Sequence, residues 1–372
     1  MNPRERWLHS LLGGPLDRFF RYEHGMWPST RERWLAEGYP ATAGCYADDE
    51  GFRAYFQLDP IVRIQIHSGY TDSPYYPPFE RQVLAQDDAH CLYVDTDGIT
   101  KKVLVAHSDT SMPQFVRFPV QGREDWRIIV QRLDPADAPA RIGDPTRLRA
   151  ACADPEVATL LPLCGAFGHP RNLLGDEGLA YVMYDDPSLL DEILENWCAL
   201  YQALLHELTR LVRVDSLLIW EDMCYKNGPL IAPAKFRRFM LEPYRRLIQT
   251  ARECGVAAII VDSDGDVRQM NPLFLEAGVD ALMPFEVQAG MDVVRLRQEF
   301  GPSFGIMGGL DKRALAQGPA AIEAEVRRVV PHLLSTGRYI PTLDHTIPTD
   351  VSLAAFQYYL QVLRSYEGAI VP

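Results

Sequence analysis

The sequence predicts an α/β fold, a TIM-like (β/α)8 barrel with an antiparallel β-rich excursion in its N-terminal third. Three observations carry the prediction. From about residue 155 onward, short runs of small and β-branched residues alternate with amphipathic helical stretches, the rhythm of a parallel sheet with crossover helices. Acidic residues recur directly after those runs, where barrel enzymes assemble their sites. At 372 residues the chain carries no linker, low-complexity segment or internal repeat, which fits one barrel domain over 1–372, with a β-rich insertion at about 51–133, better than two average domains.

Taken in order, Asn2-Pro3 reads as an N-cap followed by proline at the first helical position, and Trp7, Leu8, Leu11 and Leu12 share one apolar face before Gly13-Gly14 stops the helix. Arg18–Tyr22 reads as a short strand leading into a loop with Glu23, His24 and Trp27, and Thr30–Glu37 as a brief helix. Phe52–Phe56 and Ile61–Ile66 alternate as half-exposed strands do. Leu92–Asp95 and Thr100–Val105 flank Thr96-Asp97-Gly98, whose Asp-Gly pair favours a hairpin, so Asp97 is a turn residue. Between them Tyr70–Pro78 is a stiff aromatic loop that either caps a cleft or packs on the surface. Asp134–Arg141 is a Pro/Ala-rich connector.

The barrel strands follow as Thr159–Leu163, Ser216–Trp220, Ala257–Val261, Ala281–Phe285, Phe304–Met307 and Tyr339–Pro341. A helix opens at Asp186-Pro187 and keeps helical apolar spacing through Leu211. Others run over Pro233–Cys254, Met291–Phe300, Ala320–Ser335 and Ser352–Tyr366. With one or two short early strands, these units make eight.

A net charge of −13 argues against nucleic acid and anionic membrane as partners. The seven cysteines show no C-x-x-C spacing, which suggests free thiols in a reducing compartment. Without an apolar signal region or an 18-residue apolar stretch, the expected location is cytoplasmic.

Chemistry concentrates after the strands. The buried-strand run Ala257–Val261 ends in Asp262, Asp264 and Asp266 around Gly265, and clustered carboxylates resist joint ionisation unless a metal, a cation or a bound proton offsets them. An EF-hand is excluded, since counting from Asp262 its sixth and twelfth positions hold Val267 and Leu273. Glu221-Asp222 follows the strand at Ser216–Trp220, Glu286 the next but one, Asp311 the Gly308-Gly309 pair, and Asp344-His345 the last strand. In a barrel these ends converge on one mouth. Asp311 is the likeliest helix cap among them. Such a mouth can hold a divalent ion through Glu221, Asp262, Asp264 and His345, keep one carboxyl protonated as a general acid, or bind a cationic or polyhydroxylated ligand. The candidate catalytic residues are Glu221, Asp222, Asp264 and His345. The candidate substrate contacts are Trp27, Tyr75, Tyr76, Lys226 and Asp344, with the aromatic members forming an apolar platform beside the acids.

The same residues carry a family resemblance. Trp220–Met223 with Lys226–Ile231 and the helix at Phe236–Tyr244, Asp262–Gly265, Gly308–Asp311 and Pro341–Val351 resemble the uroporphyrinogen decarboxylase superfamily, whose fold is a TIM-like barrel. The resemblance implies one of two activities. Decarboxylases of the family grip tetrapyrrole carboxylates with arginines in a Met-Arg-Gln-Ala-Gly-Arg-like segment. The corresponding Arg21–Trp27 lacks that segment and holds Glu23 instead. Corrinoid-dependent methyltransferases of the family bind zinc through a His-x-Cys pair and a later Cys. Those positions appear here as Asp262-Ser263-Asp264 and the neighbourhood of Asp344-His345, so no thiolate remains, and a zinc or other divalent ion would need harder ligands. The resemblance thus favours a methyltransferase or demethylase that moves a methyl group between a small O- or N-methyl compound and a corrinoid on a separate protein. The alternatives are a decarboxylase and a non-catalytic small-ligand-binding barrel.

Overall fold

The computed structural model of the chain describes residues 1–70, 73–107 and 113–369. Its strands are β1 (Ile61–Arg63), β2 (Gln82–Gln86), β3 (His90–Val94), β4 (Thr100–Leu104), β5 (Gln114–Arg117), β6 (Ala158–Cys164), β7 (Ser216–Trp220), β8 (Cys224–Tyr225), β9 (Gly228–Pro229), β10 (Ala258–Asp262), β11 (Ala281–Met283), β12 (Gly305–Met307) and β13 (Tyr339–Ile340). β1, β6, β7, β10, β11, β12 and β13 pair in that order and all in parallel, with helices outside, as a TIM-like barrel requires.

Strand alternation divides the core in two. Along β10, Ala258 and Ile260 pack into an inner cluster with Leu160, Leu218, Ala281, Met307 and Ile340, whereas Ile259 and Val261 join the cluster beneath the helices. Asp262 continues the inward series, opposite Trp220 on β7 and Met283 on β11.

Among the described residues no strand ladder joins β13 to β1. Residues 19–24 run through that gap instead. Phe20 packs in the inner cluster with Tyr22 against it, and Phe19 packs outward. On one side the Asp59 N–H donates to the Arg21 carbonyl at 3.0 Å. On the other, Thr342 Oγ1 and Leu343 N donate to the Glu23 carboxyl at 2.8 and 3.2 Å. The segment read as a short strand is thus the eighth stave, held by a backbone hydrogen bond on one side and by the Glu23 carboxyl on the other.

The barrel's other end is plugged by the helix Pro3–Leu12. Its start is a capping box: Glu5 N donates to Asn2 Oδ1 at 2.8 Å and Asn2 N to Glu5 Oε2 at 3.1 Å. Trp7 and Leu11 are fully buried against the inner cluster, and Trp7 Nε1 donates to Ser216 Oγ at 3.1 Å. The fit leaves no room at Gly305, where a Cβ would stand 2.6 Å from the Leu11 carbonyl oxygen.

Three sequence expectations are corrected. Phe52–Phe56 lies in a helix, Glu50–Phe56, because Phe52 and Phe56 at i,i+4 both bury on one face, with Phe56 against Trp34 and Phe356. The helix expected over Pro233–Cys254 is two, Pro233–Phe239 and Leu241–Glu253. Pro243 has no N–H to continue the ladder, and its ring excludes the carbonyl four residues earlier, at Phe239. The antiparallel section begins at β2 rather than near residue 51, and β1 belongs to the barrel. That section is the sheet β2-β3-β4-β5, with Asp97 in the β3–β4 turn pairing with Lys101 at 2.6 Å. It stands beside the mouth across a cavity of about 440 Å³ lined by Lys101, Phe115, Arg171, Trp220 and Asp222. Among the described residues no helix is long and apolar enough to cross a membrane.

Trp7→Ala should destabilise the chain by about 3–5 kcal/mol, the loss typical of a fully buried large aromatic. Chemical denaturation measures it, and an unchanged midpoint would show that the plug does not hold the barrel.

Candidate active site

At the C-terminal ends of the strands lies a cavity of about 450 Å³. Asp262 from β10, Trp220 from β7 and Met283 from β11 meet there with Arg63 from β1, Tyr22 and His24 from the eighth stave, and Asp264 and His345 from loops. The turn after β10 is fixed by Gly265, whose φ is +80° and whose Cβ would stand 2.7 Å from the Cys224 backbone. Its N–H donates to Glu286 Oε2 at 3.1 Å.

Asp262 is the unusual group. No hydrogen-bond donor reaches its carboxyl among the described residues. Burial first, then the neighbouring Asp264, push its pKa up to about 7, with His345 and Arg63 opposing. Asp264 instead points Oδ2 at His345 Nε2, 3.4 Å away. Burial works to lower the His345 pKa, but the hydrogen bond and charge of Asp264 outweigh it and raise it. Trp27 stacks on the His345 ring with centroids 6.2 Å apart and planes at 23°. His24 is held neutral, its pKa lowered to about 3 by burial, and its buried Nε2 has no hydrogen-bond partner.

The structure therefore brings Asp262, Asp264 and His345 together, with Trp27 on the rim, and separates them from the other candidates. Glu221 is fully buried outside the cavity, and its carboxyl accepts from the backbone N–H groups of Ala166, Phe167 and Gly168 at 2.8, 2.7 and 2.9 Å and from the Tyr244 hydroxyl. It holds the loop after β6 and has no electron pairs to spare for a metal or a substrate. Asp222, in the left-handed region at φ +44°, turns to the neighbouring cavity and pairs with Arg171 at 3.1 Å. Asp344 is buried between the N–H groups of Val287 and Lys312, at 2.9 and 3.0 Å, so it ties loops rather than binding substrate.

Lys226 is exposed at the tip of β8–β9, over the Tyr225 ring. Tyr75 is fully buried in the outer core against Phe79, and Tyr76 packs on His67 and Arg141. Neither lines the cavity, because the loop carrying them packs against the barrel flank. Thr71 and Asp72 of that loop lie outside the described residues. Of the remaining acids, Asp266 pairs with Arg268 and Asp311 with Arg313.

This sorting removes the expected metal set. With Glu221 spent on backbone donors and Asp264 turned to His345, no group of three or more His, Cys, Asp or Glu side chains is placed to hold an ion among the described residues. Cys224, beside the mouth, is buried and its thiol is pushed up to about 12, so it offers no thiolate.

Arg63, Asp48, Tyr22 and Tyr46 have no site assignment from sequence, while His24 is placed there only in a loop and Tyr70 only in the aromatic loop that either caps a cleft or packs on the surface. Arg63 was hidden by reading Ile61–Ile66 as part of the excursion, so its strand end was not placed at the mouth. The signal for the stave was the spacing Phe20, Tyr22, His24, every second residue on one face.

Residues 149–366 match the family described as Uroporphyrinogen decarboxylase (URO-D). The chain belongs to this family. A curated relative, the uroporphyrinogen decarboxylase of Maricaulis maris (strain MCS10), is 28% identical over 131 residues, which are 35% of this chain and 36% of that protein. The match thus spans about a third of that relative's length. Among solved structures, a methyltransferase from Methanosarcina mazei shares the fold with a TM-score of 0.65 at 13% identity, over 98% of this chain and 99% of that one. The family match and the shared fold agree, and within this barrel the mouth cavity is the candidate active site.

The raised Asp262 pKa sets a stability test. In the folded chain Asp262 keeps its proton up to about pH 7, whereas the unfolded carboxyl loses it near its ordinary value, so stability falls as pH rises through that window. Asp262→Asn removes this pH dependence. The variant should gain little at pH 4 and on the order of 1–2 kcal/mol at pH 8, allowing for cavity water. Thermal denaturation across pH checks this, and a gain independent of pH would contradict it.

Proposed function

We propose that this chain is a methyl-transferring enzyme acting on a small O- or N-methyl compound held in the barrel mouth. Asp262 donates the proton that the leaving oxygen or nitrogen takes up as the methyl group departs. The observation that carries the reading is a carboxyl without a donor among the described residues, raised to about 7, on the wall of the mouth cavity. A general acid needs a pKa near the working pH, and burial is the usual way a carboxyl attains it. The adjacent Asp264 raises the His345 pKa and so favours a charged ring beside Asp262, which would stabilise the carboxylate left after proton donation.

A corrinoid on a separate protein would supply, when bound, the nucleophilic centre that accepts the methyl group. A cavity of about 450 Å³ suits a small substrate. The residues do not fit a zinc ion, and no step is assigned to one. Tetrapyrrole decarboxylation draws less support, because Arg63 is the one lysine or arginine among the described cavity residues and Asp48, Asp262 and Asp264 share its walls.

The test is turnover of a panel of methoxy and methylamino compounds with reduced cobalamin as acceptor, followed by its absorption spectrum. Turnover should fall about tenfold per pH unit above about 7, as Asp262 deprotonates. Asp262→Asn should lose on the order of a hundredfold or more. A chelator should change nothing. Full activity in Asp262→Asn would reject the proton-donor role, and carbon dioxide release without methyl transfer would assign the mouth to decarboxylation.

A further inference from the structure

The mouth carries a feature that proton donation does not use. Arg63 ends β1 on the wall that the 450 Å³ cavity shares with a second one of about 570 Å³. It forms no ion pair among the described residues. Its guanidinium lies over the Tyr70 ring, 4.6 Å from the centroid, and the Tyr70 hydroxyl takes part of its N–H edge, which leaves its remaining N–H groups for a ligand. Burial works to lower its pKa, but Tyr70, Tyr22 and Asp48 together outweigh burial and raise it, so it stays charged. An unpaired cation in a partly dry site is costly unless an anion arrives with the ligand.

The rest of the lining offsets little of that charge. Asp262 holds its proton below about pH 7 and Asp264 faces His345, which leaves Asp48, beyond ion-pair distance, as the remaining carboxylate at this junction, with a further cation, Arg141, lining the second cavity. The cavity walls are aromatic: Tyr22, Tyr46, Tyr70 and Trp220.

We propose that the substrate is a small aromatic monocarboxylate whose carboxylate pairs with Arg63 while its ring lies among these side chains. One guanidinium fork suits one carboxylate, and a second anionic group would meet Asp48 or Asp264. The proposal rests on the mouth being the substrate site and names the class of compound that presents its methyl group to Asp262.

Calorimetric titration of the full chain with benzoate, 4-methoxybenzoate, cyclohexanecarboxylate, benzamide and benzylamine tests it. The two aromatic carboxylates should bind at least tenfold more tightly than benzamide or benzylamine, and more tightly than cyclohexanecarboxylate. Arg63→Gln should abolish the preference over benzamide with an unchanged circular dichroism spectrum, and Arg63→Lys should restore part of it. Equal binding of benzamide, tighter binding of benzylamine, or a preference that survives Arg63→Gln would overturn the proposal. Should Arg63→Gln fail to fold, the ratio of benzoate to benzamide affinity on the unaltered chain decides alone. The preference should persist in Asp262→Asn. Carboxylate preference without any methyl transfer would overturn the proposed reaction and leave this inference standing. Turnover of neutral methyl compounds without carboxylate preference would do the reverse.

Discussion

Among the described residues the barrel closes mainly through buried carboxylates, with single backbone contacts in place of an eighth strand ladder, and the site depends on that seam. Glu23 accepts from Thr342, Leu343 N and the Tyr359 hydroxyl, joining the eighth stave both to the loop after β13 and to the outer helix Leu353–Arg364. Asp59 accepts from the Arg18 guanidinium and the Arg21 N–H, and pairs with Arg6 at 3.2 Å, joining the same stave to the start of β1 and to the plugging helix. Side-chain hydrogen bonds of this kind fix position without demanding regular strand geometry. The seam therefore sets Tyr22 and His24 on one side of the mouth and Arg63 on the adjoining one, facing Asp262 and Asp264.

The acids around the mouth divide by whether the protein satisfies them. Glu221, Glu286 and Asp344 each accept backbone N–H groups from a neighbouring loop, so each holds one strand-end loop against the next. Asp266 and Asp311 pair with arginines two residues on. A carboxylate whose lone pairs are filled by protein donors is a brace, and its removal strands those donors. Asp262 has none among the described residues, and an unsatisfied carboxyl at the end of an otherwise apolar strand costs stability, as groups kept for function do. The mouth is acidic in composition largely for structural reasons, and the proposed proton donor is the member that the protein leaves without a donor.

The parallel strands were legible from sequence because strands buried on both faces read as continuous apolar runs, and each expected barrel strand lies within a residue or two of an observed one. The family, too, was legible in its local motifs. The division of labour among the acids was not. Nothing in Trp220-Glu221-Asp222 tells which carboxylate turns inward to the Ala166–Gly168 backbone, since that is decided by a loop more than fifty residues away. Tyr75 and Tyr76 looked like a platform because a Pro-rich aromatic loop is equally suited to packing, and here the barrel flank takes both rings. Arg63 escaped notice because three residues of β1 are too few to separate a barrel strand from a flanking one by period alone.

The central claim is that Asp262 is a protonated acid near neutral pH while Asp264, two residues on, is engaged with His345. Infrared difference spectroscopy of the carboxylic C=O stretch, with Asp262→Asn to assign the band, reads the protonation state of that one group. The structure predicts a band assignable to Asp262 that persists through pH 5–6 and disappears with a midpoint of about 7. A band lost near the ordinary aspartate value of about 4 would contradict the account.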